Sequence, residues 1–184
     1  MVWIRTIAEG DAEGELKSAY NKVGTARGTV ANVFKAQSLD PRSLEAHLGL
    51  YLSLMFGQGP LSRKQREMIA VVVSAENECG YCVAHHSDAL SNYVKNEAWV
   101  SELVKNRGSA PLEPKEKAIV NHATLLARNP HRITEQDVEI LRREGLSDEE
   151  VLQLTEIAAY FNFANCLVHG LGVDLEGGQV SYKY

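Results

Sequence analysis

Helix starts and helix stops recur along nearly the whole of this chain, at intervals that leave little room for a sheet. A first helix is predicted over residues 11–23 and a short second one over 30–38, stopped by Asp40 and Pro41. Pro41 suits the first turn of the next helix, where its missing N–H costs no bond, and SLEAHLGLYLSLMF keeps apolar residues at helical spacing up to Gly57. The break GQGP closes that helix, and Ser62 can cap the next, RKQREMIAVVVSAE. Its apolar run at 69–73 could also be a buried strand. Length, cap and strong helix formers favour helix, and a lone strand would have no partner nearby.

Another helix starts at or near Cys79 and runs through CVAHHSDALSNYV, followed by a short amphipathic one over 97–106 and a turn, GSAP, at 108–111. EPKEKAIVNHATLLARN is the next helix, ended by Asn129 and Pro130. Thr134 with Gln136 and Asp137 caps EQDVEILRREG, and Ser147 with Glu150 three residues on matches a capping box opening DEEVLQLTEIAAYFNFANCLVHGLG. The tail beyond Val173 has no helical pattern. No low-complexity tract divides the chain, so residues 1–184 read as one all-α domain, with 45% hydrophobic residues to build its core.

Charge narrows the partners. Twenty-four acidic residues against 19 basic ones give a net charge of -5, and the basic residues are scattered rather than gathered into a stripe, which argues against nucleic acid. The start, MVWIRTIAEGDAEGE, lacks the basic, apolar pattern of a secretory leader, and no window is expected to span a bilayer. These features predict a cytoplasmic protein with no membrane partner. In a reducing compartment three cysteines are poorly explained as a disulfide framework, which leaves a reactive pair or a metal site.

A weak internal repeat of a helix pair is present. LSRKQREMIAVVVSA resembles LEPKEKAIVNHATLLA, with Leu61 matching Leu112 and Ala118 at the place of Glu67. Asn162 and Asn165 repeat the spacing of Cys79 and Cys82, so chemistry is expected in the first copy alone.

That chemistry centres on ENECGYCVAHHSD. On a helix, Cys79, Cys82 and His86 share a face, while His85 projects about 100° away. A helix start supplies free N–H groups and positive potential, which lower a cysteine pKa below the free value of about 8.5. Histidine at i+4 can exchange a proton with the Cys82 sulfur, and the second thiol can resolve a sulfenic acid as a disulfide. If the helices before and after Asn77 and Glu78 form an antiparallel hairpin, Glu67 comes level with His86. There a partly buried carboxylate would have a raised pKa and accept a proton. The plainer reading is a surface Glu67 paired with Arg63 or Arg66.

Glu67, Cys79 twelve residues later, Cys82 and then His86 match the pattern E-x11-C-x2-C-x3-H. On these residues and their flanks, VANVFKAQSLDPRSLEAHLGLYLSLM and AAYFNFANCLVHGLGVDLE, the chain resembles the AhpD-like alkylhydroperoxidases, in the peroxidase-related branch of the carboxymuconolactone decarboxylase superfamily. The resemblance implies an AhpD-like all-helical fold assembled as homotrimers or homohexamers. It also implies reduction of organic hydroperoxides, with electrons from an external dithiol such as a lipoyl group or a thioredoxin-like protein. By position, Cys82 resembles the peroxidatic cysteine, Cys79 the proton donor and resolving cysteine, Glu67 the base and His86 the relay. One position departs from the pattern. Tyr81 stands where some members carry a histidine, and a phenol titrating at about 10 is a poor shuttle at neutral pH.

Two other readings stand beside this one. A structural zinc needs four ligands, and drawing them from Cys79, Cys82, His86 and His85 on one helix is geometrically poor, so neither metal nor cofactor is expected. A non-catalytic helical oligomer or binding module could keep the thiols as a redox sensor. Elsewhere His47, His122 and His131 are expected in packing, surface or turn positions, His169 in the core, and Cys166 as a small buried hydrophobe. Trp3, Trp99, Tyr51, Phe56, Tyr160, Phe161 and Phe163 are expected in the core or at subunit contacts.

Overall fold

The computed structural model describes residues 2–106 and 110–177. Among them lie nine α-helices and no strand: α1 Gly14–Arg27, α2 Asn32–Lys35, α3 Pro41–Phe56, α4 Arg63–Glu76, α5 Gly80–Val94, α6 Glu97–Lys105, α7 Pro114–Arg128, α8 Glu135–Arg143 and α9 Asp148–Leu171. The all-α expectation holds, and the apolar run at 69–73 is helical. The differences lie near the N-terminus. Residues 9–11 form a separate 3-10 turn, so α1 starts three residues later than predicted and runs to Arg27, where Gly28 closes it at φ +83°. The helix predicted over 30–38 contracts to the four residues of α2. Of the predicted GSAP turn, residues 108 and 109 lie outside the described residues, as do residues 178–184 of the tail.

Side chains set most of the helix starts. Ser62 accepts from the Gln65 N–H while Gln65 Oε1 accepts from the Ser62 N–H at 2.9 Å, a reciprocal box. Thr134 with Asp137 and Ser147 with Glu150 repeat the device for α8 and α9. The end of α3 is closed differently. Arg66 donates to the carbonyls of Leu54 (3.1 Å), Gly57 (2.7 Å) and Leu61 (2.9 Å), and Arg63 to that of Met55 (2.5 Å). The first turn of α4 thereby satisfies carbonyls that α3 leaves unpaired.

Contacts cluster into two compact units, residues 1–53 with 166–184 and residues 54–165. In the first, Leu16, Tyr20, Val23, Phe34, Leu44 and Leu48 form the core. Tyr51 receives a buried hydrogen bond from Arg27 Nη1 at 2.8 Å, and Asn32 Nδ2 bonds the Asp174 carbonyl at 2.9 Å. The second unit is organised around α4, which packs on α5, α6 and α7. Nine consecutive α4 residues, Arg66 to Ser74, are buried. A helix buried on every side is a core helix, and each of Met68, Ile69 and Val71–Val73 removed from water contributes about 1.5–3 kcal/mol.

The junction of α4 and α5 sets the site. Cys79 N–H bonds the Ser74 carbonyl at 2.8 Å and Glu78 N–H the Ala75 carbonyl at 3.2 Å, the paired bonds of a Schellman motif. Glu78 occupies its left-handed position at φ +54° without being glycine. The motif lays Cys79 over Ser74 and starts α5 at once.

The expectation that no segment is long enough to span a bilayer needs correction. The 24-residue α9 meets that requirement by length and composition, with a mean hydropathy of 1.2 in its most apolar window. Half of that window is buried within the protein.

Candidate functional site

All four residues of the E-x11-C-x2-C-x3-H pattern lie in the second unit, on α4 and on α5 with its N-cap. Cys79 is the N-cap of α5, Cys82 lies in its first turn and His86 one turn on, all three buried. Neither Cys79 nor Cys82 is in a disulfide. Glu67 projects from α4 and meets His86 directly, with Oε2 2.7 Å from Nδ1. A carboxylate only accepts, so Nδ1 carries the proton of this bond and Nε2 is the basic ring nitrogen. The His86 ring is held edge-on to Phe161, centroids 4.6 Å apart.

Two expectations about Glu67 are corrected. It is not a surface residue, since its side chain is 0% exposed. Nor is its pKa raised. Burial pushes the carboxyl up, but His86 and the Arg63 guanidinium outweigh burial and hold it below the usual range. Arg63 donates to Glu67 Oε1 from Nε at 3.0 Å and from Nη2 at 2.6 Å, while its guanidinium lies 3.7 Å above the Phe56 ring. The Arg63 partnership and the His86 partnership coexist on opposite oxygens of one carboxylate.

The cysteines also depart from expectation. A depressed Cys82 pKa was expected from the helix start. Instead hydrogen bonding to Cys79, burial and the electrostatic influence of Cys79 push the Cys82 thiol well above its ordinary value. Hydrogen bonds to Cys82 from Asn165 and Ser74 act in the other direction. Asn165 Nδ2 donates to Ser74 Oγ at 3.2 Å, and Asn77 Nδ2 donates to Asn165 Oδ1 at 2.9 Å and to Asn162 Oδ1 at 2.7 Å. Asn165 and Ser74 are site residues that the motif does not contain. Their signal in the sequence was the repeated spacing of Asn162 and Asn165, read there as a second copy without chemistry.

His85 is buried against Tyr81, ring centroids 4.5 Å apart. Among the described residues, no group of three or more His, Cys, Asp or Glu side chains is arranged to hold a metal ion. Cys166 and His169, expected in the core, are both exposed, because their faces of α9 turn away from the packed side. His47 and His122 are buried and His131 is exposed in a 3-10 turn. Of the aromatics, Tyr51, Tyr160 and Phe161 are core residues, whereas Trp3, Phe56 and Phe163 are exposed.

The helical fold that holds this site is that of AhpD-like proteins, as two solved structures show. The chain superposes on a peroxidase-related protein from Silicibacter sp. TM1040 with a TM-score of 0.82 and 30% identity, over 90% of this chain and 88% of the other. With the alkylhydroperoxidase AhpD core of a peroxidase-related protein from Ralstonia eutropha JMP134 the TM-score is 0.86 at 27% identity, over 95% and 92% of the two chains. The AhpD-like resemblance read from the sequence is thereby borne out. Within that fold the chain belongs to the PA26 p53-induced protein (sestrin) family, whose profile matches residues 4–183. Sestrin-2 of Mus musculus is 27% identical over 153 residues, covering 82% of this chain and 31% of the relative. The chain thus spans about a third of the length of the curated relatives it matches.

Proposed function

We propose that the chain is a thiol-dependent peroxidase that reduces organic hydroperoxides through Cys82 and Cys79, with His86 and Glu67 handling the proton. The observation that carries this reading is the buried 2.7 Å contact between Glu67 and His86, one helical turn from Cys82 in a buried cysteine pair. A carboxylate kept ionised is a weak base. Glu67 therefore serves to orient His86 and stabilise its charged form, and His86 takes the proton.

Cys82 loses its proton to His86, and the thiolate attacks the terminal peroxide oxygen. The O–O bond breaks, the sulfur keeps the oxygen as sulfenic acid, and the alkoxide leaves as alcohol with the proton of Cys79. The Cys79 thiolate then attacks the Cys82 sulfur. The disulfide forms, and the hydroxyl departs as water with the proton held by His86. An external dithiol, lipoyl or thioredoxin-like, returns two electrons and regenerates both thiols. The family match over residues 4–183 supports treating residues 1–184 as one functional domain. Assembly as a homotrimer or homohexamer, a cytoplasmic location and descent from a duplicated helix pair belong to the same proposal.

A second reading is favoured by the burial of Cys82 against Cys79, which opposes its ionisation: a redox-sensing module that is oxidised once and does not turn over. One preparation separates the two. After one equivalent of tert-butyl hydroperoxide, thiols are counted, the disulfide is mapped and metal content is determined; excess peroxide with a lipoyl dithiol follows. A peroxidase loses two thiols to a Cys79–Cys82 disulfide and then consumes peroxide catalytically. A sensor forms the disulfide without turnover, and unchanged thiols with bound zinc would overturn both readings.

A further inference from the structure

The cysteine pair is met from α9 by a polar side chain with its own chain of support. Asn165 is buried, and its two amide ends are used differently. The oxygen accepts from Asn77 Nδ2 at 2.9 Å, and the nitrogen donates to Ser74 Oγ at 3.2 Å. Because Asn77 occupies the oxygen with a donor, the Asn165 amide has one favoured orientation, with both N–H groups on the side of Ser74 and Cys82. Ser74 Oγ, accepting from Asn165, keeps its own proton for the sulfur beside it. Asn77 is fixed in turn, because its nitrogen also donates to Asn162 Oδ1 at 2.7 Å.

We propose that Asn165 and Ser74 form an oriented donor cradle for the Cys82 sulfur, with Asn77 setting the direction of donation. The three residues are positioning residues. They do not take the proton from Cys82. They lower the cost of holding negative charge on a buried sulfur at the thiolate stage. The need for such donors follows from the site itself, because Cys79 and burial oppose ionisation of Cys82 and the helix start does not overcome them. A purely structural network would leave the sulfur's affinity for protons unchanged. A donor cradle sets it.

The catalytic part of this inference rests on Cys82 being the attacking thiol, but the cradle can be tested without peroxide turnover. In a chain with Cys79→Ser and Cys166→Ser, Cys82 is the sole thiol, and its alkylation by iodoacetamide is followed against pH. Ser74→Ala removes one donor with little change of shape. Asn165→Leu removes the amide, and Asn165→Asp keeps its outline while placing an acceptor where donors stood. The expected result is an alkylation midpoint that rises in the order parent, Ser74→Ala, Asn165→Leu, Asn165→Asp. The rate at pH 7.5 should fall roughly threefold to tenfold for the first step and further along the series. Thermal midpoints recorded on the same samples identify any unfolded variant, and Ser74→Ala is mild enough to carry the test if the Asn165 changes are not tolerated. An unchanged midpoint in folded Ser74→Ala and folded Asn165→Asp overturns the cradle. If the series shifts as expected but wild-type protein never consumes peroxide, the cradle stands and the peroxidase reading fails.

Discussion

Glu67 joins α4 to α5 by accepting from two donors at once, with Oε2 2.7 Å from His86 Nδ1 and Oε1 2.6 Å from Arg63 Nη2. Full burial makes this an obligatory pairing, since an ionised carboxylate in the core is tolerated only while both oxygens are matched.

Glu67→Gln should therefore cost about 2–4 kcal/mol of stability at neutral pH, read by chemical denaturation. The cost should depend on acidity in a fixed direction. Glu67 is held below its usual 4.5 in the folded chain, so its contribution is complete above that value and drains away as pH falls through the lower folded pKa. The gap between wild type and Glu67→Gln should narrow below pH 4.5. A gap that widens there would show that the carboxyl is held neutral.

Arg63→Met leaves Glu67 with His86 as its remaining partner and should destabilise strongly, whereas Arg63→Met with Glu67→Leu removes the orphaned charge as well. The double variant should be more stable than the sum of the single effects by roughly 1–3 kcal/mol. Additive effects in denaturant would mean that Arg63 acts through its stack on Phe56 and its bond to Met55 alone.

The left-handed Glu78 offers a gain rather than a loss. Glycine adopts φ +54° without Cβ strain, so Glu78→Gly should raise stability by about 1 kcal/mol despite its greater unfolded-state entropy. A lower thermal midpoint in this variant would indicate that the exposed Glu78 side chain has a favourable role at the turn.

His47 governs a different pH window. It is buried with Nδ1 2.8 Å from Gln37 Nε2, and burial lowers its pKa from 6.5 to about 4. The unfolded chain takes up a proton near 6.5 while the folded chain resists it, so folding loses up to roughly 3 kcal/mol as pH falls from 6.5 to 4. His47→Leu should flatten the stability curve across that window, above the window in which Glu67 acts.

Among the cysteines, Cys82→Ser should abolish peroxide consumption while Cys166→Ser leaves it intact. Equal peroxide consumption by the two variants, followed in the presence of a dithiol, would remove Cys82 from the attacking role.

The helices were legible because their signals are local. Ser62 with Gln65, Thr134 with Asp137 and Ser147 with Glu150 name their own helix starts, and Pro41 names another. The placement of Glu67 level with His86 was reachable too, since a tight turn at Asn77 and Glu78 makes register a matter of counting. The charge states were not. Glu67 was expected to be raised by burial, and only the approach of Arg63 and His86 together reverses the sign. Cys82 was expected to be lowered by a helix start, and only its enclosure with Cys79 shows the opposite. Cys166 and His169 were misplaced because α9 is apolar around most of its circumference, so hydropathy along it does not say which side faces the core.

By itself the sequence determined the helices, the hairpin and the four residues of the thiol pattern, because caps, turn residues and i to i+4 spacing act within a few residues of chain. The tertiary structure alone decided the electrostatics of the site. Asn165 lies 83 positions after Cys82, and the Asn165–Ser74 bond joins residues 91 apart, so no local pattern could place those donors at the sulfur. Proton affinity depends on what fills the few ångströms around an atom, and in this chain those neighbours come from three separate helices and the turn between two of them.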